Sequence, residues 1–353
     1  MKKLIALLLA LALTFALAAC GTAATTPAAA ENTAEPAAET NTAEDEAVAA
    51  YPERDVLLVV PFNPGGDTDT TARGLATPLT NYFGETIATT NITGTMGFVA
   101  TSHVYNSAPD GYTLLWQNSD MMINSLLDRL EDDWDKMFKL VALACDGETC
   151  CWVVREDAPY KTMEELVAYA KEHPGEVSIG MEHGSFEHIL CLEIAEQLGI
   201  EFSYVAAGGG SARVASLNSG EIDINVGAYG ANAEFIKAGK FRPLCIMASE
   251  QHEDINADCG IEIPTLVEET GVDISFYKMF LCFAPIDTPD GIVEKMGEAI
   301  AKCVDSDDFR AANAKYFYTP HAMYGEEAYE YVMDKQNNYY APLIEKWGSV
   351  AVG

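Results

Sequence analysis

A pair of glycines separates a strand-like segment from a helix-like one early in the chain. Gly65 and Gly66 follow the apolar run 56–62, and the segment after them reads DTDTTARGLATPL, with apolar residues at helical spacing. The first backbone N–H groups of a helix have no partners within it, and its dipole adds positive charge there, so anions bind readily at this position. Glycine lets an anion approach that backbone closely. A nucleotide phosphate and a carboxylate would both fit.

Acidic and hydroxyl side chains follow the glycines at once. Asp67 and Asp69 could act as a general acid and a general base. The simpler interpretation is that Thr68 or Asp69 caps the helix, because a side-chain oxygen of this kind accepts a hydrogen bond from an early backbone N–H. Capping does not exclude contact of the same residue with a ligand.

Motif spacing disfavours several other kinds of site. The dinucleotide pattern G-x-G-x-x-G and the phosphate loop G-x-x-x-x-G-K-[ST] are both missing, and so is the serine-hydrolase elbow G-x-S-x-G. The segment 182–188 reads EHGSFEH, which matches neither zinc-binding order, H-E-x-x-H or H-x-x-E-H. A helix cap followed by a histidine at the helix start is the favoured interpretation. We predict no metal and no cofactor, and a carboxylate is the ligand that suits the glycine pair best.

The N-terminus predicts export. It reads MKKLIALLLALALTFALAAC, with two lysines, a short apolar run and small residues before Cys20. This layout resembles a bacterial lipobox, which predicts a lipoprotein signal peptide over 1–20 and lipidation of Cys20; the alternative is an ordinary secretory signal with an incidental cysteine. Residues 21–50 are rich in Ala, Thr and Glu and contain no Lys, Arg or aromatic residue, so we expect a disordered acidic tether.

The net charge argues against one class of partner, and the cysteine positions bear on disulfide formation. The formal net charge is −33, from 21 basic and 54 acidic residues, which argues against a nucleic-acid partner. Eight cysteines follow Cys20, several of them inside apolar runs, where a free thiol behaves as a small hydrophobe. We expect mostly reduced cysteines, and the best disulfide candidate is Cys145 with Cys150 or Cys151.

Strand-like and helix-like stretches alternate from residue 51 onward, which predicts parallel α/β layers. Strands are predicted at 55–61, 86–91, 112–117, 139–144, 151–155, 177–180, 202–206, 222–226, 242–248 and 278–284. Helices are predicted at 69–83, 96–107, 162–172, 186–199, 211–219, 230–238, 264–270, 289–304 and 325–346. Ligands of such sheets bind beyond the carboxyl ends of strands, which selects the loops 63–69, 93–97, 117–121, 181–188 and 206–212. Glycine-bearing loops in both halves suggest a cleft between two lobes.

Several segments, taken together and in this order, resemble one protein family. They read LVVPFNPGGDTDTTARGLATPL, NITGTMGFVATSHVYNSAPDGYTLLW, SLNSGEIDINVGAYGANAEFIKAGKFRPL, and IPTLVEETG followed by FLCFAPIDTPDGIVEKM. The chain thereby resembles, over about residues 53–335, the substrate-binding proteins of tripartite tricarboxylate transporters, also called Bug proteins. The resemblance implies a two-lobed periplasmic-binding-protein fold of type II (Venus flytrap), each lobe a mostly parallel sheet flanked by helices. It implies capture of a small carboxylate-bearing solute outside the cell and delivery to a membrane permease, and it does not imply catalysis.

The resemblance also implies a set of ligand-binding residues, carried over by position onto loops of both lobes. In the first lobe these are Phe62, Gly65, Gly66, Asp67, Thr68 and Asp69, then Thr93, Gly94, Thr95 and Gly97, then Asn118, Ser119 and Asp120. In the second lobe they are His183, Gly184, Ser185, His188, Gly208 and Gly209, with Ala228 and Tyr229 lining the back.

Five residues, in three segments, depart from the family pattern. Asp67 replaces a usual glycine, Ala206 and Ala207 replace a usual Tyr-Lys, and Glu182 with His183 stand where small residues are common. These changes make the expected pocket roomier, more acidic and short of one cation. We therefore expect either a ligand that carries an amino group as well as a carboxylate, or a larger apolar acid.

The sequence thus predicts a monomeric receptor, lipid-anchored at the outer face of the bacterial cytoplasmic membrane or on the periplasmic side. Its first lobe would comprise 51–153 and 276–353, and its second lobe 154–275. Two alternatives stay open. One is an enzyme acting on a small carboxylic acid, with Asp67, Asp69 or His188 as acid or base. The other is a sensor that presents its closed form to a signalling partner in the membrane.

Overall fold

The computed structural model describes the backbone of residues 39–352, and the side chains of 45–94 and 96–351. The predicted signal peptide, Cys20 and the first part of the predicted tether lie outside the described residues. From residue 43 onward the chain forms one compact unit. No helix within residues 39–352 is both long enough and apolar enough to span a membrane.

Eleven strands are found in the described part of the chain, and all ten predicted strands are among them. The strands are β1 (Val56–Val60), β2 (Ile87–Asn91), β3 (Thr113–Asn118), β4 (Phe138–Gly147), β5 (Cys150–Arg155), β6 (Ser178–Met181), β7 (Ser203–Ala206), β8 (Ile224–Ala228), β9 (Phe241–Ile246), β10 (Lys278–Pro285) and β11 (Thr319–Tyr324). Interior strands such as β1 and β10 are nearly continuous apolar runs, as expected where both faces of a strand are covered.

Helices occupy most of the connections between the strands. They are α1 (Glu39–Ala50), α2 (Asp67–Phe83), α3 (Phe98–Tyr105), α4 (Asp120–Leu126), α5 (Trp134–Met137), α6 (Met163–Glu172), α7 (Phe186–Leu198), α8 (Gly210–Ser219), α9 (Tyr229–Lys237), α10 (Glu253–Cys259), α11 (Leu266–Thr270), α12 (Asp290–Cys303), α13 (Asp307–Ala314), α14 (Gly325–Lys335) and α15 (Ala341–Val352). A π-helical turn, Gln336–Tyr340, joins the last two. The nine predicted helices are confirmed in position, although the last prediction, 325–346, comprises α14, this turn and the start of α15.

The strands form two sheets, and both sheets are mixed. The first sheet has the order β11-β4-β10-β3-β1-β2, and the second has the order β7-β6-β8-β5-β9. β1 is parallel to β2 and β3, and β6 is parallel to β7 and β8. β10 and β5 each run antiparallel to both of their neighbours. The expectation of mostly parallel sheets was therefore wrong. The chain enters β5 and β10 from the other lobe, so no crossover helix within the same sheet sets these two strands parallel to their neighbours.

The two sheets define two lobes that the chain connects twice. Lobe 1 is built on the first sheet and lobe 2 on the second. The chain enters lobe 2 between Gly147 and Cys150, a few residues before the predicted boundary at 153, and it is back in the first sheet at Lys278. One hydrophobic core runs through both lobes and includes Leu115 and Trp152. The C-terminal helix α15 ties the lobes further, since Lys346 Nζ lies 2.7 Å from Glu193 Oε2 on α7.

The end of the predicted tether differs from the expectation. Residues Glu39–Ala50 form helix α1, although the whole segment 21–50 was expected to be disordered. Alanine and glutamate have high helix propensity, which favours this local structure. The helix end is also held in place, because Lys295 Nζ donates hydrogen bonds to the carbonyls of Val48 and Ala49, each at 2.9 Å.

The eight cysteines after Cys20 are all present as free thiols. Cys145 lies on β4 of lobe 1 and Cys150 and Cys151 on β5 of lobe 2, and the candidate disulfide between them is not formed. Burial raises the pKa of the Cys145 and Cys151 thiols well above the usual value, which keeps them protonated and unreactive.

Candidate ligand-binding site

The glycine pair lies where the sequence predicts, between β1 and the start of α2. Gly66 is the residue before the helix, with φ −72° and ψ 174°, and no side chain caps it. The expectation that Thr68 or Asp69 caps α2 was therefore wrong, because the helix already begins at Asp67. Asp69 instead closes the loop: its Oδ2 accepts the Gly65 N–H at 2.8 Å, and Arg73 Nε lies 3.0 Å from its Oδ1.

Asp67 forms an ion pair that the sequence did not predict. Its Oδ2 lies 2.7 Å from Lys278 Nζ, at the start of β10, and accepts a hydrogen bond from the Tyr318 hydroxyl at 3.0 Å. The Lys278 and Asp67 side chains are 15% and 19% exposed. Burial alone would raise the pKa of Asp67, but the charge and hydrogen bond of Lys278, with help from Tyr318, outweigh burial and lower that pKa. The first loop therefore holds a fixed carboxylate that is already paired.

The loop after β3 packs against the glycine loop. Asn118 Nδ2 donates to Thr68 Oγ1 at 3.3 Å, which joins the two loops. Ser119 Oγ accepts the Met279 N–H at 2.9 Å and the Tyr340 hydroxyl at 2.8 Å, so this side chain is occupied within the fold. Asp120 begins α4, and its backbone N–H donates to Asn118 Oδ1 at 2.8 Å.

The loop after β6 supplies the lobe 2 side. Ser185 caps α7 and accepts the His188 N–H at 3.3 Å, and His188 Nδ1 accepts the Gly184 N–H at 3.2 Å. Burial, aided by His183, lowers the pKa of His188 to about 4, so the ring is neutral at physiological pH. The interpretation of 182–188 as a cap with a helix-start histidine is confirmed.

Arg129 connects the loops of the two lobes. This residue follows α4 in lobe 1, and its Nη1 donates to the Gly184 carbonyl in lobe 2 at 3.1 Å. The same nitrogen lies 3.2 Å from Met96 Sδ and 3.3 Å from Asn124 Oδ1. Gly184 has φ +76°, and a Cβ there would lie 2.2 Å from Arg129 Nη2. A residue with a Cβ at this position would be strained by the positive φ and would displace the Arg129 guanidinium.

Charged side chains converge on the space between these loops. Lobe 1 contributes Asp120, and lobe 2 contributes Glu182, Glu187 and Arg213. Arg213 Nη2 lies 3.5 Å from Glu187 Oε1, with side chains 7% and 15% exposed. Burial first, and then the charge of Glu187, raises the pKa of Asp120 to about 7 and raises the pKa of Glu182.

Sequence reasoning missed the three cations of this region. Lys278, Arg129 and Arg213 lie outside every predicted loop and come from distant parts of the chain. A signal existed for Lys278 alone, because it is a charged residue at the start of the buried strand KMFLCFAP.

Other predicted residues are distributed more widely. Tyr229 is fully buried, and its hydroxyl donates to Asp258 Oδ2 at 2.7 Å, so its side chain is occupied within lobe 2. Gly97 is buried beside Gln117 and Pro61. Ala228 is half-buried and pairs with Cys150. The Phe62 carbonyl accepts a hydrogen bond from Asn91 Nδ2 at 2.9 Å. The exposed members are Gly65, Thr93, Gly94, His183, Gly208 and Gly209; the side chain of Thr95 lies outside the described residues.

Two surface grooves lie elsewhere, with volumes of about 450 and 470 Å³. The first runs along α3, and the second lies between the end of α4 and α15. Neither is lined by a residue of the predicted set. Within the described residues, no group of three His, Cys, Asp or Glu side chains is arranged to hold a metal ion.

A family comparison decides what kind of protein carries these loops. The model of the tripartite tricarboxylate transporter family receptor matches residues 71–349. The chain belongs to this family. The resemblance inferred from the four sequence segments is thereby confirmed. As a member, this receptor is a solute-binding protein with an extracytoplasmic location.

Curated relatives match the receptor over most of its length. A protein encoded in the gbd 5′ region of Cupriavidus necator is 29% identical over 301 residues, covering 84% of this chain and 89% of the relative. BugT of Bordetella pertussis is 26% identical over 303 residues, covering 85% and 89%. Both alignments include the two lobes and their connections.

Solved structures confirm the two-lobed fold. MatC from Rhodopseudomonas palustris, solved with bound malate, is 25% identical with a TM-score of 0.70, and the match covers 85% of this chain and 100% of MatC. A second R. palustris protein, solved with adipate, is 24% identical with a TM-score of 0.76, covering 84% and 98%. The receptor therefore has the periplasmic-binding-protein architecture that the sequence predicts, with mixed sheets.

Proposed function

We propose that the receptor captures a small solute bearing a carboxylate group and delivers it to the membrane permease of a tripartite tricarboxylate transporter. One observation carries the proposal: in each lobe a helix begins directly after glycines, with no side-chain cap. Gly65 and Gly66 precede α2 in lobe 1, and Gly208 and Gly209 precede α8 in lobe 2. Backbone N–H groups at helix starts favour anions.

The ligands of related proteins support this class of solute. Malate is bound in the MatC structure and adipate in the second R. palustris structure, and both are small dicarboxylic acids. The predicted ligand-binding set, from Phe62 to Tyr229, is part of the proposal. Within it we assign direct contacts to the exposed glycine loops, because Ser119, Asp69, Tyr229 and Gly184 have their polar groups occupied by the fold.

Catalysis by the acidic pair is disfavoured by its geometry. Asp67 is held ionised by Lys278 and Tyr318, and the pKa of Asp69 is also lowered, because hydrogen bonds from Arg73, Gly65 and Asn91 outweigh the effect of burial. A general base works best with a pKa near the operating pH, and both pKa shifts move the carboxyl groups away from that value. Transport by capture and release is the function that this arrangement supports.

Lipid anchoring through Cys20 completes the proposal, with the receptor acting as a monomer at the membrane surface. The mature chain would then keep its captured solute close to the permease. Replacing Cys20 by Ala should release the protein into the medium or periplasm, whereas unchanged membrane association would contradict the lipid anchor.

The binding site is tested with Gly66→Val and a milder Gly66→Ala. The backbone at Gly66 is extended, and the nearest atom to an added Cβ is the Asn63 carbonyl oxygen at 3.5 Å, so both variants should fold. A thermal-shift screen of the full chain against malate, adipate, succinate and amino acids identifies a ligand, which at a hundred times its Kd should add about 2.7 kcal/mol of stability.

We expect Gly66→Val to lose at least about a hundredfold in affinity, an equivalent of ~2.7 kcal/mol, and Gly66→Ala to lose less. The melting temperature without ligand should stay close to that of the unmodified chain. Mass spectrometry of the released ligand should recover it unaltered. Equal ligand affinity in Gly66→Val and the unmodified chain would contradict the site. Chemical conversion of the ligand would favour an enzyme.

A further inference from the structure

Three carboxylates of the cleft lack the partners that carboxylates usually have. Within the described residues, the side-chain carboxylates of Asp120 and Glu182 accept no hydrogen bond and form no ion pair. Glu187 has a single cationic neighbour, Arg213, at 3.5 Å. Lys278 is close enough to influence the pKa of Asp120, but its Nζ is bonded to Asp67. The three acids therefore act on one another from the end of β6 and the starts of α7 and α4, and among them only Glu187 is paired with a cation in the described residues.

Arg213 is a second and independent sign of a missing group. The residue is 6% exposed, and its Nε has no hydrogen-bond partner in the described part of the chain. Its Nη2 points to Glu187, so the guanidinium lies at the edge of the acid cluster. Buried polar groups are nearly always hydrogen-bonded, and an arginine presents several donors in one plane that match a carboxylate. An anion beside Arg213 would complete its bonding.

We propose that the solute carries a protonated amino group next to its carboxylate, with the ammonium held by Asp120, Glu182 and Glu187 and the carboxylate by Arg213 and the glycine-bearing loops. The receptor would thus take an amino acid in preference to the matching simple acid. This inference rests on the proposed function, because it concerns the same cleft.

The chemistry of an ammonium group suits this cluster. An ammonium has three N–H donors and no acceptor, and the carboxylates of Asp120, Glu182 and Glu187 supply the acceptors. Arg129 acts on the charges of Asp120 and Glu182 but forms no ion pair with either in the described residues, and its Nη1 is used by the Gly184 carbonyl, Asn124 and Met96. A plain dicarboxylate would add two further negative charges to three acids, whereas an ammonium removes their mutual repulsion. Burial first, and then the charge of Glu187, raises the pKa of Asp120 and of Glu182.

The test compares acids that differ only in the α-amino group. The pairs are L-aspartate with succinate, L-glutamate with glutarate, L-alanine with propionate, and L-phenylalanine with 3-phenylpropionate. Affinities are measured by calorimetry on the full chain and on Asp120→Asn and Glu182→Gln. Asp287→Asn and Glu201→Gln are matched controls, because they make the same changes at exposed positions of the two lobes.

In at least one pair we expect the amino acid to bind at least about tenfold more tightly, since a charged hydrogen-bond partner is worth that much or more. Asp120→Asn and Glu182→Gln should remove most of this advantage while the simple acid binds as before or better, and the controls should keep it. If a simple acid binds as tightly as its amino partner, or if both variants retain the preference, the ammonium site is refuted and carboxylate capture stands. If no acid of the panel binds, both proposals are contradicted.

Discussion

Replacing Lys278 by Met should destabilise the receptor far more than replacing its partner, Asp67, by Asn. Lys278→Met keeps most of the side-chain volume and leaves the Asp67 carboxylate without its cation. It also removes a positive charge that interacts with Asp120 and Glu187 in the folded protein. Asp67→Asn, by contrast, leaves Lys278 beside those two acids, so the lysine keeps favourable neighbours.

The magnitude follows from the geometry of the pair. At 2.7 Å the gross attraction between the charges is ~6 kcal/mol for an effective dielectric constant of about 20. Part of the carboxylate's stabilisation survives in Lys278→Met, because Tyr318 and the Thr68 N–H still donate to it. Breaking a buried pair costs ~3–5 kcal/mol, and the 15% and 19% exposure of these side chains favours the lower end. We expect ~3 kcal/mol for Lys278→Met and ~1 kcal/mol for Asp67→Asn.

Chemical denaturation and thermal melting at pH 7 measure both values. A loss of ~3 kcal/mol corresponds to a fall in melting temperature of ~6–12 °C. Lys302→Met is the matched control, since Lys302 pairs with Glu298 at 2.6 Å with both side chains about half exposed, and such exposed pairs contribute little to stability. If Lys278→Met lowers the free energy of unfolding no more than this control does, or no more than Asp67→Asn does, the assignment of Lys278 as the cation that neutralises Asp67 is wrong.

Two further predictions concern the loops that face each other across the cleft. Asp120 has a pKa of about 7 in the folded protein, above its unfolded value, so its contribution to stability falls as the pH rises from about 4 to 7. Asp120→Asn should therefore stabilise the receptor by ~1–2 kcal/mol at pH 8, below the ~4 kcal/mol limit that the pKa shift sets. At pH 3.5 the same substitution should not change stability. Denaturation curves at the two pH values check this, and an equal effect at both would contradict it. Gly184→Ala should lower the free energy of unfolding by ~1–3 kcal/mol, because a Cβ at φ +76° meets Arg129 Nη2. Gly209→Ala is the control: its φ is −74° and no atom lies within 4 Å of an added Cβ, so the change should be ~0.5 kcal/mol or less. Similar losses in the two variants would count against the Arg129 contact.

Strand and helix positions could be predicted from the sequence because their patterns are local. The runs of β1 and β10 and the amphipathic helices are visible within a few residues. β11 could not be found in this way, since it is partly exposed, lacks an apolar run and contains Pro320. The direction of the strands within each sheet could not be predicted either. β5 follows β4 after two residues, and nothing in either segment shows that they belong to different sheets.

The glycine loops of the candidate site were predictable for the same local reason, whereas its charges were not. Gly66 and Ser185 stand next to the helices that they begin, so their roles can be read from neighbouring residues. The partner of Asp67 lies 211 positions away, and Arg129 reaches Gly184 across 55 positions. Such pairings depend on how the lobes face each other. A shift of the α2 start by two residues, from 69 to 67, was enough to change Asp69 from a cap into the acceptor of the Gly65 N–H.

The strongly acidic body of the receptor becomes compatible with an anion-binding cleft once the ligand carries an amino group. With 54 acidic and 21 basic residues, the formal charge of −33 repels a dicarboxylate as it approaches. An amino acid with an uncharged side chain has no net charge, so this long-range repulsion is almost absent. Within a Debye length of ~8 Å the local groups decide, and there the acids of both lobes and Arg213 present opposite charges side by side. The same composition that opposes capture of a simple acid therefore favours capture of a zwitterion.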